Sequence, residues 1–169
     1  MNKRPILLIA LLALAFLAIM NNPAQAGSKR VVLSGLAKFN ENTSPGKCIS
    51  PDHLRICWDR ASIIQFEMDD ARLTGDASLA FDSIFTKAPY AGRIKGEFRL
   101  DNQGGSWVGT WKGSTNAQGY TFFTAEGQGE GGYEGLAIRL RIERTNSNWW
   151  APMVVNGTIS IRRSLPHGR

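Results

Sequence analysis

Side chains suited to proton transfer or nucleophilic attack are sparse in this chain. It has two histidines, His53 and His167, and only His53 stands among other reactive groups, in the run Ser50-Pro51-Asp52-His53. Hydroxyl, imidazole and carboxylate are the ingredients of a nucleophilic triad, but they act together only when the fold aligns hydroxyl to ring and ring to carboxylate. Residues this close in sequence need special folding to do so. Glu126 and Glu130 fall on one face of a predicted strand with Gln128 between them. At about 3.3 Å per residue they stand about 13 Å apart, beyond the roughly 5 to 9.5 Å of paired glycosidase carboxylates. If that face pointed inward it would form a polar cavity, with Glu126 as a candidate base of raised pKa. If it pointed outward it would be a solvated wall, and the alternate residues Phe123, Ala125, Gly127 and Gly129 are the better core material. The sequence contains no zinc-protease helix motif, no P-loop and no doubled C-x-x-C, so no catalytic residue, metal or cofactor is assigned.

Binding chemistry is better represented. Trp107 and Trp111 lie four apart on a predicted strand, share a face and read as core. Trp149-Trp150 follows Asn146-Ser147-Asn148 in a predicted loop, where two adjacent indoles are hard to bury together. At a barrel mouth one of them could meet an apolar or carbohydrate ligand, or one could plug the barrel end while the other packs on a neighbour. The candidate ligand-binding residues are therefore Trp149, Trp150 and Glu126. The two cysteines, Cys48 and Cys57, read most simply as a disulfide formed in an oxidising compartment. A metal pair or redox couple is the alternative, although the spacing is far from C-x-x-C.

These residues must be positioned by strands. From residue 30 onward the chain repeats stretches of period-two alternation punctuated by Gly, Asn, Asp and Pro clusters. In Arg93 to Leu100, Ile94, Gly96, Phe98 and Leu100 share one face and Arg93, Lys95, Glu97 and Arg99 the other, as a strand with one wet face requires. Strands are predicted near 30–39, 54–68 with a possible break at Arg60, 72–86, 92–100, 106–113, 120–130, 135–144 and 153–163. Asn156-Gly157, although a common hairpin signal, is read as lying inside one continuous closing strand. Leu73, Gly75, Ala77, Leu79 and Phe81 share a face, as do Leu136, Ile138, Leu140 and Ile142. Short links rich in turn residues, such as Asp101 to Gly105 and Asn116 to Gly119, favour an antiparallel meander. About eight strands in one domain suit a small closed barrel or a two-sheet sandwich. Glycines inside strands, among them Gly96, Gly109, Gly113 and Gly127, favour the barrel, where tight coiling brings backbones close.

The run Trp107-Val108-Gly109-Thr110-Trp111-Lys112-Gly113, then Gly127-Gln128-Gly129-Glu130-Gly131, Tyr133-Glu134-Gly135-Leu136 and Asn156-Gly157-Thr158-Ile159, resembles a group of exported bacterial proteins that look like small eight-stranded barrels of the allene oxide cyclase and dirigent kind. The resemblance spans roughly residues 72–161 and implies the fold. It implies no catalytic residue, since no position here matches a catalytic motif of the plant cyclases.

Lys3 and Arg4, the uncharged run Ile6 to Met20 and Ala24-Gln25-Ala26 form the pattern of a cleavable signal peptide. The apolar run of about 15 residues is shorter than the roughly 20 a spanning helix needs. Cleavage after Ala26 divides the chain into a signal peptide, 1–26, and a single barrel domain, 27–169. The net charge of +6 falls to +4 once Lys3 and Arg4 are removed. That mild basicity, without a long Lys/Arg run, argues against nucleic acid as a partner. Arg93, Lys95, Arg99, Arg139 and Arg141 could form a basic stripe if their strands were neighbours, but Glu97 and Glu143 interrupt it and suggest cross-strand ion pairs. The expectation is a secreted or periplasmic all-β barrel, without a membrane span in its mature form, that binds a small apolar or carbohydrate ligand or an envelope protein. A small isomerase or cyclase working in the barrel interior, or a structural role, is the alternative. Oligomeric state is not readable from the sequence.

Overall fold

The computed structural model describes residues 30–87, 91–144, 146, 148 and 150–161; the predicted signal peptide and His167 lie outside them. Nine strands follow one another: β1 (Val31–Ser44), β2 (Lys47–Ile49), β3 (Leu54–Met68), β4 (Gly75–Thr86), β5 (Gly92–Asn102), β6 (Gly105–Thr115), β7 (Thr121–Gly131), β8 (Leu136–Arg144) and β9 (Met153–Ile161). Each pairs antiparallel with its successor from β3 to β9. β9 then pairs with β1, and β1 pairs with β3. Eight strands thus form a closed barrel, and β2 is an extra strand hydrogen-bonded to the outer half of β3. Closure leaves the barrel wall without a free edge.

The predicted alternation sets the inside of the wall. Ile94, Phe98 and Leu100 of β5, Leu79 and Phe81 of β4, Phe123 and Ala125 of β7 and Ile138, Leu140 and Ile142 of β8 are all buried. The strand glycines allow the wall to coil. A Cβ on Gly96 would collide with the Ala80 carbonyl, and one on Gly109 with that of Glu126. The region predicted as a strand from residue 72 begins instead with a short 3-10 turn, Ala71–Leu73. Asp70 caps it by accepting the Arg72 backbone N–H at 3.0 Å, and β4 starts only at Gly75. The break expected at Arg60 is a β-bulge in an unbroken strand. The β3–β4 register shifts between Cys57 and Arg60, and Asp59 takes the left-handed conformation, φ 55°. Two further bulges, between Phe39 and Glu41 and between Asn42 and Ser44, lie in the facing part of β1.

The basic residues do not form a stripe. β5 and β8 are not neighbours, and Arg99 pairs with Asp101 and Glu130, Arg139 with Glu126, and Arg141 with Glu143. These are exposed pairs, each contributing little to stability. No helix among the described residues is long and apolar enough to cross a membrane.

Candidate functional site

The two ends of the barrel are built differently. At one end the 3-10 turn, Trp107 and Tyr133 close the interior. Trp107 is 0% exposed and stacks on Tyr133 with ring centroids 5.1 Å apart. Its indole N–H donates to the Arg72 carbonyl at 2.7 Å, and the Tyr133 hydroxyl donates to Asn102 Oδ1 at 2.5 Å. Asn102 Nδ2 in turn lies 2.9 Å from the Arg72 carbonyl. The Asp70 side chain, 17% exposed, grips the Arg72 guanidinium at 2.6 Å. The hydrogen bond from Arg72 holds the Asp70 carboxyl below the usual carboxylate range, and the same bond raises Arg72. Every polar group named here has a partner.

At the waist, Phe98, Trp111, Phe123, Ile138 and Leu140 leave an apolar void of about 30 Å³, room for no more than about two or three waters. Trp111 meets Phe81 and Phe123 edge to face and donates its indole N–H to the Glu97 carbonyl at 3.2 Å. The waist therefore has no room for a small-molecule ligand.

The opposite end is open. There a pocket of about 390 Å³ lies above the waist, within the range of roughly 300 to 1,000 Å³ that small-molecule sites occupy. Phe39, Phe81, Phe85, Ile94 and Trp111 supply its apolar lining, and Arg55, Arg60, Ser62 and Ser83 supply polar groups. The bulge in β3 is what turns both arginines toward it. Before the bulge the odd residues face inward, as the buried Cys57 shows; after it the even ones do, as Ser62, Ile64 and Phe66 show. One extra residue thus puts Arg55 and Arg60 on the same side. The Arg60 guanidinium sits 5.2 Å from the centre of the Phe81 ring, and its Nε is buried without a hydrogen-bond partner among the described residues, as is Ser83 Oγ. Burial first, and the nearby charge of Arg55 second, push the Arg60 pKa below its ordinary value. Ser62 differs, since its hydroxyl donates to Asn42 Oδ1 at 2.8 Å. Deeper in the wall at this end, the buried Arg144 donates to Thr121 Oγ1 at 2.8 Å, and burial lowers its pKa as well.

The residues singled out from sequence are distributed unevenly. Trp150 lines the open pocket at its mouth and is 60% exposed, its backbone N–H held by Asn148 Oδ1 at 3.0 Å; Trp149 lies outside the described residues. Glu126 is on the outer wall, its side chain 68% exposed and 3.4 Å from Arg139, so the face it shares with Glu130 is the solvated one. Trp107 and Trp111 are both core. Cys48 and Cys57 form a disulfide between directly facing residues of β2 and β3, beside the pocket. Ser50, Asp52 and His53 are exposed at the tip of that hairpin, where the Ser50 and His53 carbonyls accept hydrogen bonds from Lys87. Among the described residues no cluster of three His, Cys, Asp or Glu side chains is placed to hold a metal.

Arg60 and Arg55 are the site residues that sequence reasoning missed. The signal was present: counted back from Phe66, Ile64 and Ser62, residue 60 falls on the inward face, and a cation there is out of pattern.

Fold and site together define a closed eight-stranded antiparallel barrel, packed at the waist, plugged at one end and open to a partly cationic pocket at the other. No family model, curated protein or solved structure matches the chain.

Proposed function

We propose that the protein is an exported, non-enzymatic binding module that takes a small, largely apolar molecule into the open end of the barrel. The observation that carries this reading is the aromatic and aliphatic pocket of about 390 Å³ seated on a rigid, filled waist. A preformed concave site of this kind removes apolar surface from water without first having to order itself. The polar groups along it, the Arg55 and Arg60 guanidinium groups, the Ser62 and Ser83 hydroxyls, the Asn42 amide and the Glu41 carboxylate, can orient a ligand. Export is supported by the signal-peptide pattern before Ala26 and by the Cys48–Cys57 disulfide, which suits an oxidising compartment.

The test is titration of the protein, from which the signal peptide has been cleaved, with the neutral fluorophore phenylnaphthylamine. Emission is excited through the tryptophans, since Trp111 and Trp150 both line the pocket. Saturable one-to-one binding, weakened several-fold by Trp150→Ala, is expected. An unsaturable response, with only the free chain in native mass spectrometry, would remove the reading.

A further inference from the structure

The pocket carries a feature that an apolar ligand leaves unused. Its lining holds two guanidinium groups, Arg55 and Arg60, against one carboxylate, Glu41. Among the described residues Glu41 forms no ion pair with either. Arg60 is the more telling of the two. It projects inward only because of the bulge at Asp59, its stem and charge lie over Phe81, and it has no hydrogen-bond or ion-pair partner among the described residues. Arg60 is half-buried, with its Nε shut off from solvent; guanidinium groups withdrawn from water in this way are ordinarily paired, and at the other end of this barrel the Arg72 guanidinium is. Ser83, deeper in the same pocket, adds a second unpartnered donor. A planar fork of N–H donors beside an aromatic floor matches an oxyanion attached to an apolar body.

Resting on the reading of the open end as a small-molecule site, we infer that the pocket selects amphipathic organic anions, holding a carboxylate or sulfonate head on Arg60, with Arg55 at the rim, and the apolar body against Phe39, Phe81, Phe85, Ile94 and Trp111. The head group would supply the partner that Arg60 lacks, and the body would cover the lining below it. Neutral molecules of the same shape would fill the pocket but leave the guanidinium unpaired.

Two fluorophores with the same ring system separate the possibilities: anilinonaphthalene sulfonate, an anion, and phenylnaphthylamine, which is neutral. A hydrogen bond to a charged group is among the stronger ones, so the wild-type protein should bind the anion about tenfold tighter or more. Arg60→Met should remove that preference, lowering the affinity for the anion about tenfold relative to that for the neutral probe. Arg55→Met, at the exposed rim, should weaken the anion by a smaller factor, and decanoate should displace the anionic probe from the wild type. Circular dichroism of each variant checks that the barrel has formed, and the wild-type comparison of the two probes needs no variant. If the neutral probe binds and the anion binds no tighter, or Arg60→Met leaves the preference intact, the inference of anion selection is wrong and the pocket reading stands. If neither probe binds, the pocket reading fails and the inference with it.

Discussion

The plugged end and the open end of this barrel are made from the same strands and lie on either side of the same packed waist, yet they treat their polar groups in opposite ways. At the plugged end the indole of Trp107, the hydroxyl of Tyr133, the amide of Asn102 and the charges of Asp70 and Arg72 form one connected set in which each group has a partner. At the open end Arg60 Nε and Ser83 Oγ are buried without one among the described residues. Satisfied buried networks fix a structure, whereas an unsatisfied group costs the folded state its desolvation. The first arrangement is what stability alone would select. The second costs stability, and it lies where the pocket is. Sites that bind are commonly less stable than the scaffold that holds them.

The largest expected effect tests whether the plugged end holds the barrel together. Trp107→Ala removes a fully buried indole with its hydrogen bond and should cost about 3 to 5 kcal/mol, a large part of the 5 to 15 kcal/mol typical of a domain. Trp150→Ala, at the exposed mouth, should cost less than about 0.5 kcal/mol. Urea midpoints at constant slope measure both, and similar losses would erase the distinction between the ends.

Next in size is the disulfide, which ties the extra strand β2 to β3 beside the pocket. Replacing Cys48 and Cys57 together by serine should cost about 2.5 to 3 kcal/mol in the chain-entropy model. Hydrogen exchange should then speed up in β2 and the first half of β3, while the β6 and β7 amides near Trp107 keep their protection. A uniform acceleration along the chain would mean that the open end is not a separate unit of local stability.

The two ends also differ in how far they could be read from sequence. Alternation exposed the inward faces of β5 and β8 because one side of a barrel strand is wet and the other dry, so Ile94, Phe98, Leu140 and their neighbours declare themselves. The facing pair Cys48 and Cys57 was legible for a chemical reason, the tendency of paired thiols to oxidise outside the cytoplasm. The plug was not. Leu73 fits a strand pattern as well as a capped turn, and only the tertiary contact of Trp107 with the Arg72 carbonyl explains why the chain turns there. The pocket was hidden by a single bulge. A residue at positive φ, Asp59, reverses the parity of β3, and alternation counted forward from Leu54 gives the wrong face for everything beyond it. β7 has no bulge, and there alternation alone favours the solvated face for Glu126; naming it a candidate ligand-binding residue requires that face to point inward, and the structure puts it outside, against Arg139.

The smallest effect is the sharpest test of the contrast, because it compares hydroxyl deletions of similar chemistry at the two ends. Tyr133→Phe removes a donor that Asn102 accepts and should destabilise the protein by about 1 kcal/mol. Ser83→Ala removes a hydroxyl that no group among the described residues partners. Its burial gives the folded state nothing in return for lost hydration, so the change should be neutral or stabilising by up to about 1 kcal/mol. Thermal melts of the two variants beside the wild type would show opposite shifts or a shift in Tyr133→Phe alone. Equal losses would mean that Ser83 is satisfied in solution, by water held in the pocket. The open end would then be wet and polar at its floor, and a ligand entering it would have to displace that water before gaining anything from Arg60.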